Sequence, residues 1–330
     1  MDYNELGFKC GIEIHQQLDT ETKLFCECST EANIDAAEAK IKRFLRPVAS
    51  EIGDVDRAAQ YEYLKSKEFV YNIYPEVSCL VEMDEEPPHE PKDEAVDTAL
   101  TIALMLNCDV PEEIQWMRKT VIDGSNTSGF QRTSIIGMNG SLETPEGEVG
   151  ITDLELEEES AGIHGRSSGK AVYDLDRLGI PLIEIGTDSS IKNPRHAKEV
   201  ALRLGMILRS TGKVKRGIGT IRQDVNVSIE EGARVEIKGF QTVKKIDLLI
   251  EKEVERQKSL VDIKEELEEK RIKISEIEEM TSLMKESENP LIQNLVESDN
   301  KFYAIKVDNL GGYMNRELCE GKWLGKELAD

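Results

Sequence analysis

Closely spaced carboxylates are the first feature of this sequence that could support chemistry, and they lie between residues 151 and 185. Leucines alternate there with Glu155 and Glu157, and a period of two places both glutamates on one face of a strand. Glu184 stands among apolar residues after a predicted turn at 178–181. Acids crowded on one face repel one another unless a cation lies among them, so the pattern predicts a cation site. A solvated edge strand is the alternative, because glutamate is common in this chain.

A second candidate face lies near the N-terminus, on a strand predicted between residues 8 and 18. Alternation places Glu13, His15 and Gln17 together, opposite a face of apolar side chains. A carboxylate and an imidazole two residues apart on one strand face converge on the same volume, as metal ligands do. An exposed Glu–His pair without a metal is the alternative.

The third candidate face belongs to a predicted hairpin with strands at 219–229 and 234–238. The connection between them has the length and the final glycine of a three-residue loop. Such a loop pairs residue 226 with 236 and residue 224 with 238. The polar side chains then share one face, which consists of Arg222, Asp224, Asn226, Glu236 and Lys238. Two acids, two cations and an amide at this density are uncommon on a purely solvated hairpin.

Together the three faces offer several carboxylates, one imidazole and two fixed cations. Ligand sets rich in oxygen with one nitrogen favour Mg²⁺ or Mn²⁺ over zinc. Divalent cations among acids, with arginine and lysine nearby, suit phosphoryl transfer, because positive charge neutralises the charge that develops on the phosphoryl group. The sequence contains no complete P-loop, so a nucleotide would be held here mainly through metal ions.

The overall charge limits which partners this chain can bind by itself. It carries 65 acidic and 42 basic residues and a formal net charge of −23. This charge repels nucleic acid unless a local basic patch or a partner intervenes. No apolar stretch is long enough to span a membrane and the N-terminus has no secretory-signal pattern, so we expect a cytoplasmic protein without membrane contact.

Six cysteines are spread along the chain, and only Cys26 and Cys28 are close together. A disulfide framework is not expected in a chain of this length without a signal peptide. A Cys-x-Cys pair is half of a structural zinc site, and neither a second pair nor a clustered histidine lies nearby in the sequence. We therefore expect buried thiols and no zinc.

Helices and a loop must position these faces. Residues 94–106 form a nearly continuous apolar run that predicts a buried helix. Asn193 and Pro194 form the start signal of a second helix. The charged residues 242–283 predict solvent-facing helix without a site. Residues 118–137 are rich in Ser, Thr, Asn and Gly, which is typical of a ligand-binding loop.

Several short motifs occur in one order and carry a resemblance to a known family. They are Gly11-Ile-Glu-Ile-His15-Gln16, Lys23-Leu-Phe-Cys26-Glu-Cys28, Ser128-Gly-Phe-Gln131, Leu156-Glu-Glu158, Gly179-Ile-Pro-Leu-Ile-Glu-Ile185, Arg222-Gln-Asp224-Val-Asn226 and Glu236-Ile-Lys238. In this combination the sequence resembles the B/E subunit family of the glutamyl-tRNA(Gln) amidotransferases. The loop at 82–91 and the ending at 316–330 are similar to the archaeal E-type members. Bacterial B-type members carry a second cysteine pair that this chain lacks, so the resemblance does not extend to zinc.

The resemblance implies an α+β fold, with an antiparallel-sheet, glutamine-synthetase-like catalytic domain and flanking helices. We expect this domain at residues 1–295. Residues 296–330 are expected to begin an inserted domain similar to one in bacterial aspartyl-tRNA synthetases. Members of the family continue further, through C-terminal domains that engage tRNA, so we expect this chain to be a catalytic fragment.

The resemblance also implies an activity, that of a glutaminyl-tRNA synthase of the glutamine-hydrolysing type, a carbon–nitrogen ligase. ATP with Mg²⁺, or Mn²⁺ in its place, phosphorylates the γ-carboxylate of the glutamate on Glu-tRNA(Gln). Ammonia from an asparaginase-like partner, the D-type subunit, then displaces phosphate to give Gln-tRNA(Gln). Two alternatives stay open: a non-catalytic tRNA-binding or assembly subunit, and a free-standing amide ligase acting on a small acid.

Spacing and resemblance together assign roles to particular residues. The expected residues are Glu13, His15 and Glu157 for a first cation, Asp224 and Glu236 for a second cation linked to the nucleotide, Asn226 for nucleotide binding, Arg222, Lys238 and Glu184 for catalysis, and Ser128, Gly129 and Gln131 for substrate binding. The arginine and lysine of this set are expected to stabilise the charge of the phosphoryl group.

Overall fold

Strands outnumber helices along the chain, which a computed structural model describes from residue 1 to residue 329 apart from residues 32–36, 48, 51, 168, 271 and 299. The strands are β1 Lys9–Gln17, β2 Ala39–Arg43, β3 Glu68–Ile73, β4 Met117–Thr120, β5 Phe130–Thr144, β6 Gly147–Glu158, β7 Gly162–Ser167, β8 Lys170–Asp174, β9 Pro181–Thr187, β10 Ile221–Ser228, β11 Val235–Phe240, β12 Glu278–Glu279, β13 Tyr303–Ala304, β14 Glu317–Cys319 and β15 Lys322–Trp323. The helices are α1 Arg57–Leu64, α2 Asp93–Met105, α3 Pro194–Ser210, α4 Ile246–Lys270, α5 Thr281–Met284, α6 Pro290–Glu297 and α7 Leu324–Ala329. This is a mixed α+β fold, as the sequence predicts.

A seven-stranded sheet with the order β11-β10-β1-β9-β6-β5-β4 dominates the structure. Every pairing with a defined register in this sheet is antiparallel, which confirms the expected antiparallel-sheet domain. The strands that carry the three candidate faces are β1, β6, β9, β10 and β11. They occupy five consecutive places in the sheet.

The apolar face of this sheet packs against α2 and α3. Alternation along the strands buries Ile12 and Ile14 in β1 and Leu154 and Leu156 in β6. α2 buries five residues of its apolar run, and both predicted helices are therefore confirmed. The opposite face of the sheet is left for the polar side chains.

The start of α3 shows why the sequence signal for this helix is reliable. Asn193 is the N-cap, and its Oδ1 accepts a hydrogen bond of 2.9 Å from the backbone N–H of His196. Pro194 follows at the first helical position, where a missing N–H costs nothing. The helix then buries Val200 and Leu204 against the sheet.

The hairpin of β10 and β11 keeps the predicted register between Asn226 and Glu236. A β-bulge between Gln223 and Val225 interrupts it further along, so the predicted backbone pairing of residues 224 and 238 was wrong. The Asp224 carboxylate instead accepts a hydrogen bond of 2.6 Å from the N–H of Gly239. The side chains of Asp224 and Lys238 nevertheless meet across the hairpin.

A second, four-stranded sheet has the order β2-β3-β8-β7, in which β3 and β8 are parallel. Its core includes Tyr71, Tyr173 and Leu175. The predicted turn before Pro181 connects β8 of this sheet to β9 of the larger sheet, and Gly179 adopts the positive φ of 90° that the turn requires. The two extended runs beside this turn therefore belong to different sheets.

The chain packs into two units, one with residues 1–227 and 235–248 and the other with residues 228–234 and 249–330. The first unit contains every expected site residue. In the second unit, Ile263 of α4 packs against Tyr313, Leu318 and Leu324. The expected domain boundary at residue 295 stays a prediction. None of the described helices combines the length and the apolarity needed to cross a membrane.

The predicted helix from 242 to 283 was wrong between residues 272 and 280, which separate α4 from the short helix α5. Ile274 instead forms a β-bridge to Val307, and β12 pairs with β13. Residues 271–275 alternate polar residues with Ile272 and Ile274, and this period of two favours extended structure. The helical prediction rested on charge content and overlooked that period.

Candidate active site

The polar face of the seven-stranded sheet brings the three candidate groups together. His15, Glu184 and Glu155 are paired across β1, β9 and β6, so they lie in one line across the sheet. The next line along the same three strands contains Gln17, Leu182 and Glu157, one residue from each strand in that order. Side chains from segments more than a hundred residues apart thus share one surface.

The first acidic cluster consists of His15, Glu157 and Glu184, all buried, with one ligand atom of each within 4.8 Å of the others. His15 Nε2 lies 3.2 Å from Glu184 Oε2. Glu157 Oε2 accepts a hydrogen bond of 3.1 Å from the Thr133 hydroxyl. Two carboxylates and an imidazole form a donor set that can hold a hard divalent cation.

The second acidic cluster consists of Glu13, Asp224 and Glu236, again within 4.8 Å, and it is more exposed than the first. Asn226 Nδ2 donates a hydrogen bond of 3.1 Å to Glu13 Oε1. Lys238 Nζ lies 2.9 Å from Glu236 Oε1 and 3.6 Å from Asp224 Oδ2. The two acids and the two polar partners expected from the hairpin are therefore together, with Glu13 added from β1.

The clusters differ from the expected grouping by one exchange, since Glu184 joins His15 and Glu157 while Glu13 joins the hairpin acids. Residues i and i+2 on one strand lie about 7 Å apart, whereas directly paired residues on neighbouring strands are only about 5 Å apart. Cross-strand neighbours therefore determine the clusters. Sequence alternation alone gives the face but not the neighbours.

Lys119 is a site residue that the sequence reasoning missed. Its Nζ lies 3.1 Å from Glu184 Oε2, 3.4 Å from Glu157 Oε2 and 3.9 Å from Glu155 Oε2. It belongs to β4, within the stretch predicted to be a loop. Four residues of strand are too few for alternation to reveal, and the sequence offered no other signal.

Protonation is strongly perturbed in the first cluster. Burial opposes the charge of Glu184, but the hydrogen bond from His15 and the charge of Lys119 outweigh burial and lower its pKa to about 2. Burial raises the pKa of Glu155 to about 7, and the negative charge of Glu184 adds to this effect. Burial and Glu184 also raise the pKa of Glu157. A carboxyl group such as Glu155, which titrates near neutral pH beside an ionised carboxylate, is typical of a functional site.

Arg222 lies on the same face but pairs away from both clusters, with its Nη1 3.0 Å from Glu159 Oε2. Glu159 directly follows β6 and is buried, and it was not predicted from the sequence. Burial opposes its ionisation, but the charges of Arg222 and Arg177 outweigh burial and lower its pKa. The site thus has a cationic end beyond its acidic clusters.

The three expected substrate-binding residues lie just before β5 and at its start. They are separated in sequence from the residues of the acidic clusters. Ser128 Oγ donates a hydrogen bond of 2.9 Å to Phe130 O, and Gly129 has a φ of 79°. Gln131 is buried in β5, and its Nε2 donates a hydrogen bond of 2.7 Å to Glu158 O. Its amide therefore already supports the sheet, and substrate binding by these residues stays a prediction.

The cysteine pair has partners that the sequence did not reveal. Cys26, Cys28, Cys79 and Glu82 offer four ligand atoms within 4.8 Å of one another. Four such donors match the ligand number of a closed zinc site. The sequence has no second cysteine pair or clustered histidine near Cys26 and Cys28, because Cys79 and Glu82 are more than 50 residues away in the chain and only the fold brings them close. The absence of zinc stays a prediction.

The protonation of these thiols depends on whether a metal is bound. Hydrogen bonding with Cys28 and burial raise the pKa of Cys26, and burial raises the pKa of Cys79 to about 11. The buried Lys23 places its Nζ 3.7 Å from Glu82 Oε1. Without a metal, Cys26 and Cys79 are therefore neutral thiols beside one lysine–glutamate pair.

Comparison with known proteins gives matches along the whole chain. Residues 8–301 match the family described as "GatB/GatE catalytic domain". The glutamyl-tRNA(Gln) amidotransferase E subunit of Methanocaldococcus jannaschii is 49% identical over 332 residues, which cover 100% of this chain and 53% of that protein. The E subunits of Methanococcus maripaludis and Natronomonas pharaonis are 48% and 49% identical, with 52% and 53% of their lengths covered. The chain thus spans about half the length of these relatives.

Proposed function

The chain belongs to the family of GatB/GatE catalytic domains, and we propose that it is the catalytic part of a glutamyl-tRNA(Gln) amidotransferase. In this proposal ATP phosphorylates the γ-carboxylate of the glutamate carried by tRNA(Gln). Ammonia then converts the activated group to the amide, which gives Gln-tRNA(Gln).

One observation carries the proposal, namely that two three-donor acidic clusters share a sheet face with Lys119, Lys238 and Arg222. The donors fit Mg²⁺, or Mn²⁺ in its place, because they are mostly carboxylate oxygens, and such ions complete their coordination with water. His15, Glu157 and Glu184 would hold one ion, and Glu13, Asp224 and Glu236 the other. Ions bound there would neutralise phosphate oxygens during transfer.

The proposed reaction has two steps, phosphorylation of the carboxylate and its conversion to the amide. A γ-carboxylate oxygen of the substrate attacks the terminal phosphorus of ATP, the bond from that phosphorus to ADP breaks, and an acyl phosphate forms. Ammonia attacks the carbonyl carbon, the carbon–oxygen bond to phosphate breaks, and the amide forms as one ammonia proton passes to the leaving phosphate. Lys238 and Arg222 contribute by stabilising phosphoryl charge, and Asn226 by contacting the nucleotide.

Glu184 has a different role in this proposal. Because its pKa is lowered to about 2 by His15 and Lys119 against the effect of burial, it is a poor proton acceptor at neutral pH. Its ionised form instead keeps His15 and Lys119 in place and contributes to cation binding. Ser128, Gly129 and Gln131 are assigned to the substrate end of the site.

Partners follow from the proposed chemistry. The relatives are named as subunits, which implies an assembly of several chains. We assign the ammonia supply to a separate asparaginase-like partner, the D-type subunit. Glu-tRNA(Gln) would be bound mainly by parts of the longer relatives that this chain does not span, and a cytoplasmic location accompanies this role.

Thermal stability with Mg²⁺, ATP and both together tests the proposal. A ligand at a hundredfold its Kd stabilises the folded state by about 2.7 kcal/mol, which a melting curve detects easily. We expect a shift that requires both ligands, and its loss in Glu157→Gln. Glu199→Gln is the matched control, because Glu199 is partly exposed on α3 and pairs only with Arg203 among the ion pairs described.

Two outcomes would contradict the proposal. A folded chain that shows no shift with any ligand would favour a non-catalytic assembly subunit. ATP turnover with free glutamate and ammonia, without tRNA, would favour a free-standing amide ligase.

A further inference from the structure

Two arginines converge at one end of the polar sheet face, beyond the acidic clusters. Arg222 lies two residues before Asp224 on β10, and Arg177 lies in the turn between β8 and β9. Both contact the same atom, Glu159 Oε2, from which Arg222 Nη1 lies 3.0 Å away and Arg177 Nη2 lies 3.1 Å away. A single carboxylate therefore holds two guanidinium groups side by side.

Glu159 is fixed in place by several further contacts. Gln17 Nε2 donates a hydrogen bond of 3.0 Å to the same carboxylate, and the backbone N–H of Ser160 donates one of 3.2 Å to its other oxygen. Its backbone N–H donates to Ile180 O at 2.8 Å, and its carbonyl accepts from the N–H of Gly179 at 3.0 Å. These backbone hydrogen bonds hold the turn that carries Arg177 against Glu159, which is also the residue that the Arg177 side chain contacts.

The charges at this end of the site do not balance locally. Two guanidinium groups face one carboxylate, which leaves a positive excess in a chain whose net charge is −23. Glu157 and Asp224 act on Arg222 from one side at longer range. Among the ion pairs of the described residues, Arg177 pairs with Glu159 alone.

Arg177 also has unused hydrogen-bonding capacity. Its Nε is buried and has no hydrogen-bond partner among the described residues. Its stem packs over Gly162, where an added Cβ would lie 3.2 Å from Arg177 Cδ. A salt bridge that served the fold alone would be expected to satisfy such a buried donor. The Arg177 side chain as a whole is 36% exposed, so an anion from solvent can approach its guanidinium group.

We propose that Arg177 and Arg222 form an oxyanion site that holds the phosphoryl group transferred in the reaction. Guanidinium groups recognise phosphate through paired N–H donors, and two fixed side by side match a tetrahedral dianion. The ligand class is orthophosphate or the terminal phosphoryl group of a nucleoside triphosphate. The place of this site in a reaction rests on the proposed function, whereas its affinity for orthophosphate does not.

The wild-type protein can be tested by arginine modification with phenylglyoxal, read residue by residue by mass spectrometry. The probes are orthophosphate alone, ATP with Mg²⁺ and ADP with Mg²⁺. At tenfold its Kd a bound anion leaves about one tenth of the sites free, so modification of Arg177 and Arg222 should slow about tenfold with orthophosphate and with ATP. ADP, which lacks the transferred group, should not slow it.

Arg203 is the internal control for this experiment. Its side chain is 35% exposed, against 36% for Arg177, and it also pairs with a single glutamate, Glu199. Its modification should not respond to any of the three probes. Equal slowing at Arg203 and Arg177 would overturn the proposal, because it would show a general effect of the anion.

Variants supply the second measurement. Arg177→Gln should weaken orthophosphate binding tenfold or more, Arg177→Lys should weaken it less, and Arg203→Gln should leave it unchanged. Unchanged orthophosphate affinity in a folded Arg177→Gln protein would overturn the proposal. If that variant does not fold, the protection of Arg177 and Arg222 from modification in the wild-type protein tests the proposal instead.

The nucleotide probes separate this proposal from the proposed function. Protection of Arg177 by orthophosphate without any stabilisation by ATP and Mg²⁺ would keep the anion site and reject the proposed function. Stabilisation by ATP and Mg²⁺ without protection of Arg177 would reject the anion site alone. Protection by ADP as strong as that by ATP would overturn the assignment to the transferred group.

Discussion

At Glu155, proton binding and cation binding compete. Burial and the charge of Glu184 raise its pKa to about 7, so the carboxyl is mostly protonated at pH 6 and mostly ionised at pH 8. A divalent cation on this face favours the ionised form. We therefore expect Mg²⁺ affinity to rise about tenfold from pH 6 to pH 8, measured by calorimetric titration.

The same raised pKa has the opposite consequence for the metal-free protein. The folded state binds this proton more tightly than the unfolded state, so the stability gained is fully present below the unfolded pKa, about 4.5. It is lost as pH rises through the folded pKa of about 7. Glu155→Gln should remove both pH dependences, and a Mg²⁺ affinity that is flat with pH in the wild type would contradict the assignment.

At the scale of single residues, alternation predicted which side chains face the site but not which ones meet. Glu13, His15, Glu157 and Asp224 all lie on the predicted face. Four residues were not predicted, because only the strand order or the chain topology brings each of them to its partners. They are Lys119, Glu159, Cys79 and Glu82. A sequence read segment by segment contains neither.

Among the elements, α3 offers the clearest test of a local signal. Asn193→Ala removes the N-cap hydrogen bond to His196 N and should lower the free energy of unfolding by about 1 kcal/mol. Thermal or urea unfolding followed by circular dichroism would measure this change. The expected effect is loss of stability without loss of Mg²⁺ binding, because α3 packs on the face opposite the acids.

A second variant separates the capping hydrogen bond of Asn193 from the other contact that its side chain makes. Asn193 Nδ2 also donates a hydrogen bond of 2.7 Å to Glu146 Oε2. Asn193→Ser keeps a capping oxygen and loses that contact, so it should retain most of the stability. If serine and alanine destabilise equally, the contact to Glu146 matters more than the cap.

At the scale of elements, long or strongly marked segments could be predicted and short ones could not. The caps of α3, the apolar run of α2 and the pairing of Asn226 with Glu236 all have local causes in the sequence. The four residues of β4 and the bridge at Ile274 are held by partners elsewhere in the chain. The four residues of β4 are too few to specify a strand, whereas the alternation around Ile274 was present in the sequence and was overlooked.

At the scale of the whole molecule, the net charge predicts a low affinity for RNA. With a net charge of −23, this chain alone should bind tRNA(Gln) no better than weak non-specific complexes, with a Kd near or above about 10⁻⁴ M at 150 mM salt. Fluorescence anisotropy with labelled tRNA would measure it. A protein of the relatives' full length should bind far more tightly under the same conditions.

The outcome that contradicts this expectation is also clear. Submicromolar binding of tRNA by the 330-residue chain at 150 mM salt would place the main RNA contacts within it. A repeat at 50 mM salt would show how many phosphate contacts contribute, because affinity for polyphosphates falls steeply with salt.

For the molecule as a whole, the α+β class and the antiparallel sheet could be predicted from the family resemblance, whereas spacing predicted only the polar faces and one hairpin. The strand order could not, because many orders would keep the same apolar and polar faces. The order matters for the site, since it sets His15 beside Glu184 and Glu13 beside the hairpin acids. Packing across the entire sheet decides between such alternatives.

The position of β1 in the sheet has a consequence for how the protein is made. β1 leaves the ribosome well before its neighbours in the sheet, because β9 and β10 follow about 160 and 200 residues later. At about 5–20 residues per second, the nascent β1 waits roughly 10–40 s for its second partner. Before β9 is made, β1 has two unpaired edges and an uncovered apolar face, and until β10 is made one edge stays unpaired; chaperones recognise such a strand and other nascent chains can join it. Synthesis of this protein should therefore be more sensitive to chaperone supply than the stability of its finished fold would suggest.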